Sequence, residues 1–289
     1  MPELPEVETI LLGLRAALRD RRIISSETRA DLRWPVPDDL SIRADGKRVR
    51  EVTRLGKYLL VGLVRGPTLL IHLGMSGRIR ITPGAEARAG YTPLRHEHVT
   101  LTFDDSSRVG LVDPRRFGCF LLLDGGRELA HPLLRDLGTD PLESGFDAAH
   151  LVAQLRGKRG PIKITLLDQR VVAGLGNIYV SEILYRARIH PERVSASLTV
   201  EEVTRLAEII PAVLREAIEA GGSTLRDYVD AQGRPGAFQH LHKVYAREGQ
   251  PCPECPGYPA CGGIRRIVQA GRSGFFCPRL QPPLSLLDA

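Results

Sequence analysis

The sequence has no apolar run near the ~20 residues that a membrane helix needs. Its first twenty residues carry three glutamates and no apolar core, so no secretory leader is expected and a cytoplasmic home is the simplest reading. No internal repeat is visible. Lysine is scarce, five residues against 35 arginines, so each lysine merits inspection. Cysteine is also scarce, and its number, five, is odd. Cys119 stands alone in the apolar stretch "GCFLLL" and reads as a small core residue. The other four crowd near the C-terminus, which in a cytoplasmic chain favours metal over disulfides.

What is present is ample for folding. An apolar fraction of 43% over 289 residues supports two domains and a small extra module. The net charge of +6 is unevenly placed. Residues 1–150 hold 22 basic against 21 acidic side chains, and the rest hold 18 against 13. A basic C-terminal half suits a polyanion such as nucleic acid, although an Arg-rich soluble chain is the plainer alternative.

Helical spacing of Val7, Ile10, Leu11, Leu14 and Leu18 predicts a helix over 5–20, with Pro5, Glu6 and Glu8 suited to its first turns. Short apolar runs split by Gly, Pro and Asp then predict closely spaced strands, among them "YLLVGLV", "TLLIHLGM", "HVTLTF" and "CFLLLD". Helical patterns follow from 147 to 220, then a polar, Gly-rich stretch long enough to be functional. The expected division is a β-sandwich domain at 1–130, a linker at 131–146, a helical domain at 147–240 and a terminal module at 241–289.

The opening "MPELPEVET" is more ordered than a helix start requires. If Met1 is trimmed, Pro2 carries a free secondary amine with a pKa near the α-amino value of about 8. Such an amine can attack a sugar carbon and form a cationic iminium. Glu3 could then move protons, and Glu6 could stabilise the cation.

"MPELPEVET", "GKYLL", "HLGMSG", "DPRRFG", "GLGNIY", "GGSTLRDYV", "GRPGAFQ", "VYAREGQPC" and "GRSGFFCP" resemble, in order, the blocks of the formamidopyrimidine-DNA glycosylases, bacterial enzymes that excise oxidised purines. The resemblance covers nearly the whole chain. It implies an α+β, multidomain fold: an N-terminal β-sandwich with a leading helix, then a helix–two-turns–helix domain with a zinc-finger-like hairpin, and DNA in the cleft between them. It implies a monomeric glycosylase and AP lyase acting on damaged double-stranded DNA.

By the same resemblance Pro2 is the nucleophile, Glu3 the general acid and base, and Lys57 the residue of β-elimination; an edge-strand lysine is the plainer reading of Lys57. Met75, Arg115 and Phe117 match the side chains that fill the void left by a flipped base. His96, Arg115 and Lys158 match DNA contacts, and Arg116 could hold phosphate. Asn177 would hold a phosphate beside the lesion. Ser223, Thr224, Arg226 and Tyr228 are candidates to touch the flipped base from a capping loop. Arg272 would grip phosphate and assist δ-elimination.

The zinc pattern departs from the family. Cys252 and Cys255 supply the first Cys-x2-Cys, but Leu280 stands where the last cysteine would fall after Cys277. Cys261, in a small insertion, is extra. Either these four form a rearranged zinc site, or the hairpin holds no metal. Two functional rivals remain: an endonuclease VIII-like enzyme for oxidised pyrimidines, and a lesion-binding protein without catalysis.

Overall fold

Six apolar side chains on one face of α1 (Leu4–Leu18), among them Val7, Ile10 and Leu14, are buried. Burial of each stabilises by about 1.5–3 kcal/mol, so the chain's first turn is tied firmly to the interior. A computed structural model describes residues 1–225, 228–255 and 261–283.

Two compact units emerge: Met1–Asp136 with Ala217–Gln239, and Leu137–Glu216 with His240–Ala289. In the first, α1 leads into β1 (Ile23–Thr28), α2 (Leu40–Ala44), β2 (Val49–Leu55), β3 (Tyr58–Leu63) and β4 (Thr68–His72). Then come β5 (Arg78–Thr82), α3 (Gly84–Gly90), β6 (Glu97–Phe103), β7 (Arg108–Val112) and β8 (Cys119–Leu123). One antiparallel sheet runs β1-β6-β7-β5 and the other β2-β3-β4-β8. Leu59, Val61 and Leu69 of one sheet share a core with Val99, Leu101 and Leu111 of the other and with α1, the expected sandwich. Cys119, on β8, is buried.

The stretch 217–239 groups with this sandwich and not with the helices before it. Ile81 N–H donates to Ala231 O at 3.2 Å, and Gly13 of α1 passes so close that a β-carbon there would meet Ala231 at 2.8 Å. Tyr228 joins the sandwich core.

The second unit carries α4 (Ala148–Leu155), α5 (Ile162–Leu167), α6 (Asn177–Ala187) and most of α7 (Val200–Glu219), then the hairpin β9 (Arg265–Gln269) and β10 (Arg272–Phe276). Asp147 caps α4 by accepting His150 N–H at 2.7 Å. Glu182, wholly buried, accepts the N–H groups of Lys243, Val244 and Tyr245 at 2.9, 3.0 and 2.8 Å. This fixes to α6 the segment that leads into the cysteine module. Among the described residues no helix is long and apolar enough to cross a membrane.

Candidate active site

The three glutamates of the opening stretch do three different things. Glu3 precedes α1 in extended conformation (φ −103°, ψ −174°), and it and Pro2 are buried. Glu6, one turn on and 2% exposed, turns its carboxylate back: Oε2 accepts Glu3 N–H at 2.8 Å, and Oε1 accepts Ser223 N–H at 2.7 Å. One side chain thus joins the terminus to the 222–224 segment. Glu8 reaches the other way. It receives the Arg54 Nε hydrogen bond at 2.6 Å, and the same guanidinium donates to Gly56 O at 3.1 Å. Gly56 (φ 56°) makes the β2–β3 turn, next to Lys57.

Contact geometry explains why glycine stands at 222. Its φ is +81°, and a β-carbon would lie 2.9 Å from Glu6 Oε1. Phe238 N–H donates to Gly222 O at 3.0 Å. Thr224 holds its own segment, donating from Oγ1 to Tyr228 O at 2.9 Å and accepting Gly236 N–H at 2.8 Å. The Tyr228 hydroxyl donates to Glu6 O at 3.3 Å, and burial pushes its pKa up. Arg226 lies outside the described residues.

Lys57 is buried, 7% exposed, and its charge is felt by His72 at the end of β4. Burial and then Lys57 push His72 down to about 4, so its ring is neutral at pH 7. Nδ1 accepts Gly74 N–H at 3.1 Å, which leaves the proton on Nε2. Tyr58 packs on the ring at 4.8 Å between centroids. His72 was not among the residues singled out from the sequence. The available signal was a polar ring ending an otherwise apolar strand, as the first residue of "HLGM".

Met75 and Phe117 are apolar yet 45% and 42% exposed, so neither is packed into the core. Arg115 lies over the Phe117 ring at 4.8 Å, and Arg116 is exposed in a left-handed conformation (φ 56°). His96 (φ 67°) is half-buried, its ring 6.3 Å from that of His98.

In the second unit, Asn177 opens α6. Its Nδ2 donates to Ser273 O at 2.8 Å, while its buried Oδ1 has no hydrogen-bond partner. Lys163, 1% exposed, donates to Arg272 O at 3.2 Å and underlies Gly274, where a β-carbon would stand 3.1 Å from Nζ. Ala270 (φ 46°) and Gly271 (φ 73°) make the two-residue hairpin turn of the type that positive φ at both positions defines. Exposed Arg272 therefore begins a strand docked from beneath by two polar side chains. Lys158 is exposed.

The sulfur atoms of Cys252, Cys255 and Cys277 lie within 4.8 Å of one another, compatible with the edge of about 3.8 Å that tetrahedral zinc–thiolate bonds imply. A hydrogen bond from Cys255 pulls the Cys261 thiol pKa down, and Cys261 also interacts with Cys277. All four cysteines are buried in one cluster, with Leu280 packed against it as an apolar neighbour. The Tyr185 hydroxyl lies 3.2 Å from Cys252 Sγ.

Two family models match the chain: the formamidopyrimidine-DNA glycosylase N-terminal domain over residues 1–120, and the H2TH domain of the same enzymes over 137–229. Curated formamidopyrimidine-DNA glycosylases of Gluconobacter oxydans and Acidiphilium cryptum are 52% and 50% identical, over 97% of this chain and all of theirs. The crystal structure of MutM (Fpg) from Thermus thermophilus is 40% identical with a TM-score of 0.83, covering 97% of this chain and 98% of that one. Lactococcus lactis Fpg, solved with DNA containing an abasic site, is 33% identical with a TM-score of 0.86, covering 97% of this chain and all of that one.

Proposed function

The chain belongs to the formamidopyrimidine-DNA glycosylase family, and from that premise we propose that it excises 8-oxoguanine and formamidopyrimidines from duplex DNA and then cuts the strand as an AP lyase. It is a DNA glycosylase of base excision repair. The observation that carries the reading is the buried Pro2–Glu3 terminus, braced by Glu6 against the 222–224 segment.

Removal of Met1 frees the Pro2 secondary amine. Its lone pair attacks C1′ of the damaged nucleotide, and the bond to the base breaks with a proton delivered to the leaving side. The sugar ring opens to a Pro2 iminium, with Glu3 moving the proton of the ring oxygen. The iminium acidifies C2′, and loss of that proton expels the 3′ phosphate; a second elimination expels the 5′ phosphate. Lys57 serves the first elimination and Arg272 the second. Glu6 acts on this chemistry by holding Glu3 and Ser223, and Glu8 through Arg54 and the Lys57 turn.

Neutral His72 offers its Nε2–H beside Lys57 as a phosphate donor. Lys158, Asn177 and Arg116 are further phosphate ligands, and His96 another contact with DNA. Met75, Arg115 and Phe117 enter the stack where the base has left. Ser223 and its neighbours line the base pocket with main-chain groups, while Thr224 and Tyr228 build that segment.

Cys252, Cys255, Cys261 and Cys277 would hold one zinc ion, which when bound supplies a structural crosslink at the foot of the Arg272 hairpin. The enzyme works as a cytoplasmic monomer on DNA. Single-turnover excision on duplexes carrying 8-oxoguanine or thymine glycol tests the substrate class. Faster release of 8-oxoguanine is expected; faster release of thymine glycol would move the chain to the pyrimidine branch.

A further inference from the structure

The two turns that carry the exposed wedge residues are topologically paired. Leu73–Gly77 joins β4 to β5, and Asp113–Gly118 joins β7 to β8. Strand β4 pairs with β8 (His72 opposite Cys119), and β5 pairs with β7 (Arg78 opposite Val112). Both turns therefore cross from one sheet to the other, side by side. Their backbones touch. A β-carbon on Gly74 (φ +59°) would lie 2.5 Å from Phe117 C and from Gly118 N, and one on Gly118 would lie 2.6 Å from His72 O.

One buried carboxylate lies between the turns. Asp113 is 0% exposed. Its Oδ1 accepts the Ser76 hydroxyl at 2.8 Å and Arg115 N–H at 3.3 Å, and its Oδ2 accepts Gly118 N–H at 2.8 Å. Its main chain is held as well: Asp113 O accepts from His98 Nε2 at 2.8 Å and from Arg116 N–H at 3.2 Å. Asp113 N–H donates to His96 O at 2.9 Å, and Arg116 O accepts Arg33 N–H at 2.7 Å. The Asp113 bond to Arg115 is to the main-chain N–H and not to the guanidinium. Asp113 fixes the frames on which Met75, Arg115 and Phe117 stand.

We propose that Asp113 is a positioning residue that locks the Met75 turn and the Arg115–Phe117 turn into a single wedge, and so sets how the enzyme discriminates the base opposite the lesion. This rests on reading Met75, Arg115 and Phe117 as void-filling side chains. Discrimination needs Arg115 to meet the orphaned base at a fixed height while Met75 and Phe117 occupy the gap. A hydrogen bond between the turns correlates those placements; without it each turn adjusts to either partner base. Asp113→Asn places an amide N–H₂ where one of the donors now points, so at least one turn is released.

Asp113→Asn can also impair folding, so Ser76→Ala is the sharper probe, because it removes only the bond between the turns. The measurement is kcat/KM for 8-oxoguanine opposite cytosine and opposite adenine, beside the cleavage rate of a preformed abasic site. Ser76→Ala should move the ratio between the two partner bases toward one by about 3–10-fold, the order of one intramolecular hydrogen bond. Abasic cleavage should stay within about twofold, and Ser76→Thr should restore the ratio. An unchanged ratio overturns the proposal, as does an equal fall on all substrates. Met75→Ala on the same duplexes separates the two layers. If it leaves excision and abasic cleavage in their wild-type proportion, the void-filling reading fails by itself. If it disturbs that proportion while Ser76→Ala leaves the ratio alone, only the role of Asp113 fails.

Discussion

Replacing Glu6 by glutamine turns one carboxylate oxygen at the centre of the proposed site into an amide nitrogen. The carboxylate accepts two main-chain N–H groups on separate oxygens, Glu3 at 2.8 Å and Ser223 at 2.7 Å. A carboxamide keeps one acceptor and turns an N–H₂ toward the other donor. One charge-assisted hydrogen bond is lost and one buried N–H loses its partner. Together these cost about 2–4 kcal/mol. In a unit of this size that lowers its melting temperature by roughly 5–15 °C. The effect on chemistry should be of similar size, since a catalytic group misplaced by about 1 Å costs about 100-fold, roughly 3 kcal/mol. Borohydride trapping of the adduct with an 8-oxoguanine duplex, measured well below the mutant's melting temperature, reads that rate. A fall in stability with wild-type trapping would refute the positioning argument. No fall in either would refute the hydrogen bonds.

Three other expectations are independent of this one. Arg54→Lys cannot serve Glu8 and Gly56 O together, so the Lys57 turn loosens; strand cleavage should slow about tenfold while adduct formation is kept, as gel kinetics would show. Burial and then Arg272 hold Lys163 down to about 8, so between pH 8 and the ordinary lysine range the unfolded chain binds the extra proton. Wild-type stability should therefore gain from Lys163 as pH rises through that window, and the melting temperature of the wild type should rise relative to that of Lys163→Met from pH 8 to 10; a constant difference would contradict the burial. Metal analysis should find one zinc per chain and little in Cys261→Ser, with binding recovered when Leu280→Cys is added; full zinc in Cys261→Ser alone would exclude that cysteine as a ligand.

The sequence was most legible where burial dictates composition. Strands β3, β4, β6, β7 and β8 announce themselves as apolar runs because most of their residues are buried. Strands β1, β2 and β5 do not; each lies at a sheet edge with most of its residues half-buried or exposed, whereas the remaining edge strand of the sandwich, β8, is apolar. These three carry polar and charged side chains such as those of "SSET" and "RIRIT", which hide the strand pattern and discourage pairing with other chains. The allegiance of 217–239 was equally hidden. It depends on contacts far apart in sequence, such as Glu6 with Ser223, that no local pattern encodes.

At the site, Pro2 and Glu3 stood out because the proposed iminium chemistry of a terminal secondary amine needs an unusual opening sequence. Arg54, His72 and Asp113 did not. Each acts by being next to another residue in space, and arginine, histidine and aspartate near turns are common in any soluble chain. Even the glutamates of "MPELPEVET" were only partly legible. Their number was visible, but the bonds of Glu6 to Ser223 and of Glu8 to Arg54 required the fold.

The most direct trial of the account is to locate the covalent bond. The chain with Met1 removed is reduced with borohydride while bound to an 8-oxoguanine duplex, digested, and the sugar-bearing peptide sequenced by mass spectrometry. The sugar should be on the Pro2 nitrogen. A sugar carried by Lys57 or any other internal amine would contradict it.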